Sequence, residues 1–191
     1  MSLETFDRTV CWTPVGSAGF EHLQLRAEEG GYVARSTVLG IGDEAPFRLQ
    51  YKIKADKDWR TRKVWVRAAT PIAESALALR SDGHGNWRNE DGTELPELRE
   101  CIDVDIMATP FTNTLPINRL RLAPGQSADA RVVYVTAPSL EISVSPQRYS
   151  CRRESEIFFE SPAHDFSALL PIDSDGLVLD YPQLFRRIYP L

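Results

Sequence analysis

A mainly β fold, built on one large and mostly antiparallel sheet, is what the sequence predicts, and three observations predict it. Most segments alternate apolar and polar residues with a period of two rather than 3.6. Gly, Pro and Asp punctuate those segments at short intervals, as turns require. Helical stretches that could carry parallel crossovers between strands are scarce. At 191 residues and 21.5 kDa the chain fits a single domain, residues 1–191, large enough to bury a real core.

Alternation is first clear over residues 20–28, where Phe20, His22, Gln24 and Arg26 stand opposite Leu23 and Leu25. An EEGG turn leads from there into a second strand over 32–39, so the pair reads as a hairpin. Residues 47–55 (FRLQYKIKA) and 62–69 (RKVWVRAA) continue the meander, with Val64, Val66 and Ala68 on one face and Trp65 and Arg67 on the other. The stretch LALRSDGHGNWRNEDG carries two Asp-Gly turn signals around a short strand that holds Trp87. Thr70-Pro71 could cap a helix over 73–79, but the chain must enter the Asp82-Gly83 turn extended, which favours a strand. Further strands are expected at 131–136, 140–145, 156–160, 166–172 and 177–179. A helix is expected over 111–120, where Thr and Asn offer caps, Pro116 suits a first turn, and Leu115, Ile117, Leu120 and Leu122 are the apolar positions. A second short helix is expected at 182–188 (PQLFRRI).

Several function classes are excluded by composition. The net charge is -5, the pI is about 5.3, and no basic cluster is denser than Arg152-Arg153 or Arg186-Arg187, so nucleic acid is not an expected partner. No apolar run approaches the ~18 residues of a membrane-spanning helix. MSLETFDRTV lacks the features of a signal peptide, so a cytoplasmic location is expected, and the three widely spaced cysteines suit reduced, buried thiols. His22, His84 and His164 have no metal-site spacing, GSAG is no nucleophile elbow, and GIGDEA is a turn without the rest of a dinucleotide fingerprint. No metal and no cofactor is expected.

The stretch CIDVDIM is the exception to this plain background. Period two sends Ile102, Val104 and Ile106 to one face and Cys101, Asp103, Asp105 and Met107 to the other. At a rise of ~3.3 Å per residue the two aspartates stand about 7 Å apart along the strand. Such a pair can be a solvated strand face, or, bracketed by Cys101 and Met107, it can line an enclosed polar cavity. Like charges so placed cost stability unless water, an Arg or a helix N-terminus compensates, and the helix expected after Thr112 would begin close by.

DGHGNW, LPEL, CIDVDI, TPFTNTLPINRL, RYS and DGLVLDYPQLFRRI, in that order, resemble the pattern of the bacterial putative glycolipid-binding family, a domain of unknown function (DUF1089), over nearly the whole chain. Two departures are Glu100, where a small residue is expected, and Asn118, where an Arg is usual. The resemblance implies a large curved antiparallel sheet, half-barrel-like, wrapped around a single α-helix and packed as a homodimer. It also implies an acidic pocket, a glycolipid or other sugar-bearing small molecule as partner with possible contact to membrane lipid, and a role in glycolipid metabolism. Asp103, Asp105, Thr112 and Asn113 match the family core and are the main candidate ligand-binding residues. Trp87, Asp91 and Glu94 from the preceding hairpin are secondary candidates, with Gln147 and Tyr149 after them. A non-catalytic binder is favoured. The alternative is a carboxylate-dependent enzyme acting on a sugar or glycolipid, which would need a third acid such as Asp82, Asp91 or Glu94 facing the pair across a cleft.

Overall fold

The computed structural model describes residues 6–42 and 45–191; residues 1–5 of MSLETFDRTV and 43–44 of GIGDEA lie outside the described residues. An antiparallel meander opens the chain: β1 (Asp7–Pro14), β2 (Gly19–Glu28), β3 (Gly31–Ile41), β4 (Pro46–Asp56), β5 (Thr61–Ala69), β6 (Glu74–Ser81) and β7 (Trp87–Asn89). Then come β8 (Asp103–Ile106), α1 (Thr114–Leu120), which is the single α-helix among the described residues, β9 (Ser127–Val135), β10 (Ile142–Arg153), β11 (Glu156–Ser161), β12 (Phe166–Pro171), β13 (Asp180–Tyr181) and β14 (Phe185–Tyr189). The fold is thus mainly β with one short helix, as the period-two segments predict.

Two sheets result. Nine strands in the order β13-β14-β1-β2-β3-β4-β5-β6-β7 form a large antiparallel sheet that does not close into a barrel. Its edge strands are very short, and β7 pairs only with Leu79–Ser81 of β6, so the outer side of Glu74–Ala78 has no strand partner among the described residues. Five strands, β12-β11-β10-β9-β8, form the second sheet. Within it β8 and β9 are parallel, and the segment holding α1 is the crossover that such a pair needs. All other pairs in both sheets are antiparallel, in keeping with the mostly antiparallel expectation.

The core forms where the two sheets meet. Alternate residues of the large sheet, among them Leu23, Leu25, Leu49, Ile53, Val64 and Val66, bury against Val104, Ile106, Val133 and Val135. The opposite face of the small sheet carries its own cluster, with Val132, Tyr149, Ile157, Phe159 and Leu170 beneath Ile117 of α1 and Tyr181. Residues 111–120 therefore lie where the sequence places them, entered through a 3-10 turn at Phe111–Asn113, with Phe111 and Leu115 in the first cluster and Ile117 in the second.

The second helix is replaced by a strand. Residues 182–188 fall largely in β14, whose backbone pairs with β1 on one side and β13 on the other. Pairing on both flanks satisfies the backbone there better than one isolated helical turn could.

An acid layer and an apolar groove form the candidate ligand site

In β8, Val104 and Ile106 point into the inter-sheet core, which sends Asp103 and Asp105 to the face covered by α1. The bracketing residues depart from strict alternation: Cys101 joins the inter-sheet core, and Met107, beyond the strand end, is 47% exposed. Asp103 is fully buried. Arg119, in the last turn of α1, donates Nη2 to Asp103 Oδ2 at 2.6 Å and Nε to both carboxylate oxygens at 3.1 Å. Burial raises the Asp103 pKa, and the guanidinium pulls it back. Compensation for Asp103 therefore comes from an Arg on the far end of the helix, not from the helix start.

Asp105 is held differently. Thr112 Oγ1 donates to its Oδ1 at 2.9 Å and Gln147 Nε2 to its Oδ2 at 2.6 Å, with no guanidinium or ammonium among these partners. Burial pushes its pKa up, and the Thr112 and Gln147 hydrogen bonds and the nearby His164 offset that in part. Each oxygen has accepted one hydrogen bond and can accept another. Around it the network continues: the Tyr149 hydroxyl donates to Gln147 Oε1 at 2.9 Å and lies 3.2 Å from Asn113 Oδ1. Tyr134, directly across from Asp105 in the β8–β9 register, packs with its ring tilted against His164 at 4.8 Å between centroids, while the Ser145 and Ser161 hydroxyls are buried without a partner on the same sheet face. Asp103, Asp105, Thr112, Asn113, Gln147 and Tyr149 are thus brought into one layer.

Trp87, Asp91 and Glu94 lie elsewhere. The Trp87 indole donates to the Cys101 carbonyl at 2.7 Å from within the inter-sheet core. Asp91 accepts from the Thr93 backbone at 2.8 Å and Glu94 from Arg88 at 2.7 Å, both exposed at the β7 hairpin. Asp82 is spent on its own turn, accepting from His84 N at 2.7 Å. Asn118 donates to the Asp175 carbonyl at 2.9 Å, beside Gly176, whose φ of +75° and contact with Asn118 leave no room for a Cβ.

A second feature was not singled out by sequence reasoning. A groove of about 510 Å³ opens between the ends of β2–β5 and the segment after β8, with walls from Trp12, Val38, Phe47, Ala108, Pro138 and Phe185. Its apolar rim is exposed: Phe20 is 40%, Leu39 51%, Ile41 57% and Ile72 93% accessible. One acid, Glu21, belongs to its wall and is almost fully buried. Ser36 and Tyr51 donate to Glu21 Oε1 at 2.7 Å and Thr109 donates at 2.9 Å, leaving Oε2 buried without a partner. Burial lifts the Glu21 pKa to about 7, against the pull of these three hydroxyls. The signal was present in the sequence, since period two puts Glu21 on the face of Leu23 and Leu25, where an acid is out of place.

Groove and acid layer adjoin. Phe185 lines the groove and packs 6.4 Å from Tyr181, whose hydroxyl is shifted upward by burial and then by the charge of Asp105. The TPFT segment joins them a second time, because Thr109 bonds Glu21 on one side while Thr112 bonds Asp105 on the other. Chemically, the arrangement offers hydrogen-bond acceptors next to a hydrocarbon-compatible trough.

Residues 9–187 match the model of a family described as putative glycolipid-binding. The crystal structure of a DUF1089 family protein from Pseudomonas aeruginosa is similar at 37% identity over 90% of this chain and 93% of that one, with a TM-score of 0.84. No curated protein matches the chain. With the family pattern extending from β1 to β14 and the fold shared with a solved member, the chain belongs to the putative glycolipid-binding family, DUF1089.

Proposed function

We propose that the protein binds a glycolipid, with hydrocarbon lying in the groove and sugar hydroxyls reaching Asp105 and its neighbours, as a carrier within glycolipid metabolism. The observation that carries this reading is an apolar groove that adjoins, across the Phe185–Tyr181 contact and the TPFT segment, a carboxylate whose two oxygens retain accepting capacity. Apolar walls with a few convergent polar groups are the usual make-up of a small-molecule site. Asp103 supports the layer through Arg119, whereas Asp105, Gln147 and Asn113 are placed to meet hydroxyls. The exposed rim also suits contact with a lipid surface during loading, and no helix among the described residues is long and apolar enough to cross a membrane.

The enzyme reading is weaker. A glycosidase needs two carboxyls flanking the scissile bond. Asp82, Asp91 and Glu94 are each engaged at the β6–β7 end and do not face Asp105.

Calorimetry with octyl glucoside below its micellar concentration tests the proposal. Leu39→Asp, which sets a charge on the exposed groove wall, should weaken binding by at least roughly tenfold. Asp105→Asn, which removes a charged acceptor, should cost about tenfold. Parent-like affinity in both variants would contradict the assignment.

We also propose a homodimer packed through sheet surfaces, since the large sheet is open at its edges and Trp65 stands 41% exposed on its outer face. Sedimentation at micromolar concentration should give twice the 21.5 kDa chain mass; a species of the single-chain mass would overturn it.

A further inference from the structure

From the position of Glu21 we infer that the groove selects an uncharged, hydroxyl-bearing amphiphile, which hydrogen-bonds Glu21 Oε2, and rejects chains ending in a carboxylate or phosphate. The inference rests on the proposed role of the groove and adds the ligand's charge and the residue that reads it.

Three observations carry it. First, Glu21 is a built feature: β2 places it opposite Val38 of β3, and Ser36, Tyr51 and Thr109, from three separate elements, converge on one of its oxygens. All three donors are themselves buried. Holding an acid there costs desolvation that a Leu at the same position would avoid. Second, the other oxygen has no partner, in a wall that is otherwise apolar apart from Ser17, Thr70 and backbone. A ligand hydroxyl suits that oxygen in either state of the acid, donating to the carboxylate or accepting from the protonated form. Third, no Arg, Lys or His is among the described lining residues, and the groups facing Glu21 are Cys11 of β1, Ser36 of β3, Tyr51 of β4 and Thr109 beyond β8. A carboxylate or phosphate entering the groove would meet a second negative charge and no cation to pair with it. Only protonation of Glu21 would admit it.

Displacement of the neutral dye 1-aminoanthracene from the intact protein by decanol, decyl sulfate and decane tests this at pH 8 and pH 5.5, the sulfate standing in for a carboxylate or phosphate because it is a monoanion at both values. At pH 8 decanol should bind at least tenfold more tightly than either decyl sulfate or decane. Lowering the pH to 5.5 protonates Glu21 and should bring decyl sulfate at least tenfold closer to decanol. Glu21→Gln should show the narrower decanol-to-sulfate ratio at both pH values. The pH arm on the unaltered protein needs no substitution, so it stands even if the variant folds poorly. If the chains displace the dye but the decanol-to-sulfate ratio does not change with pH, the inference fails while the groove reading stands. If none of the three chains displaces the dye, the groove reading falls and takes the inference with it.

Discussion

Arg119→Met is expected to destabilise the protein by roughly 3 to 4 kcal/mol, the cost of leaving a buried carboxylate without its cation. Asp103 has no solvent access, and Arg119 supplies all three of the side-chain hydrogen bonds its carboxylate makes here. Asp103→Asn should cost less, about 2 kcal/mol, because the Arg119 side chain retains 17% exposure and can turn towards water. Replacing both together, as Asp103→Leu with Arg119→Met, should recover most of the loss, since a buried ion pair is close in stability to a well-packed apolar pair. Urea unfolding of the parent and the three variants measures these differences. A loss below about 1 kcal/mol in Arg119→Met would mean that the pair contributes little and that α1 is fixed by its apolar face alone.

A second large effect concerns pH. Glu21 has a folded-state pKa of about 7 against an ordinary 4.5, with burial as the leading cause. Because the folded value is raised, the protonated acid is favoured in the native state. The resulting stability is fully present below about pH 4.5 and is lost as pH rises to about 7, beyond which the loss is complete. A shift of this size corresponds to about 3 kcal/mol. Denaturant titrations at pH 5 and pH 8 should therefore show the parent losing most of that amount through this group at the higher pH, while Glu21→Gln stays nearly flat. Parallel pH profiles for the two proteins would show that Glu21 titrates normally and that the groove wall is wetter than its burial implies.

The meander from β2 to β7 was legible because each strand has one solvated face, so period two survives in the residues: Leu23 and Leu25, or Val64, Val66 and Ala68, bury while their neighbours do not. No strand was read over residues 7–14, and the reason is physical. Val10, Cys11 and Trp12 are buried in succession, and the β1–β14 register shifts between Cys11 and Trp12, so alternation is erased where β1 is most enclosed. PQLFRRI spaces Leu184 and Ile188 as a helix would, yet pairing with β1 and β13 decides its state. That is tertiary context overriding local pattern.

At the site, adjacency in sequence showed that Asp103 and Asp105 share a face and that Thr112 and Asn113 follow them. It could not show that the two acids have opposite circumstances, one matched by Arg119 and the other left with neutral donors. Nor could it bring Gln147, Tyr149 or Tyr181 to Asp105, since sheet register and the return of the chain near its end make those contacts. Trp87, Asp91 and Glu94 precede β8 closely in sequence but belong to the far edge of the other sheet. Closeness along the chain misled there, because the chain changes sheet between β7 and β8.

Amide chemical-shift mapping of the protein titrated with octyl glucoside tests the central claim most directly, because it reports on groove and acid layer in one experiment. Saturable shifts confined to two joined patches are predicted, one around Phe20, Leu39, Met107 and Ala108, the other around Asp105, Thr112, Asn113 and Gln147. Saturable binding that shifts residues elsewhere and leaves both patches unmoved would contradict it.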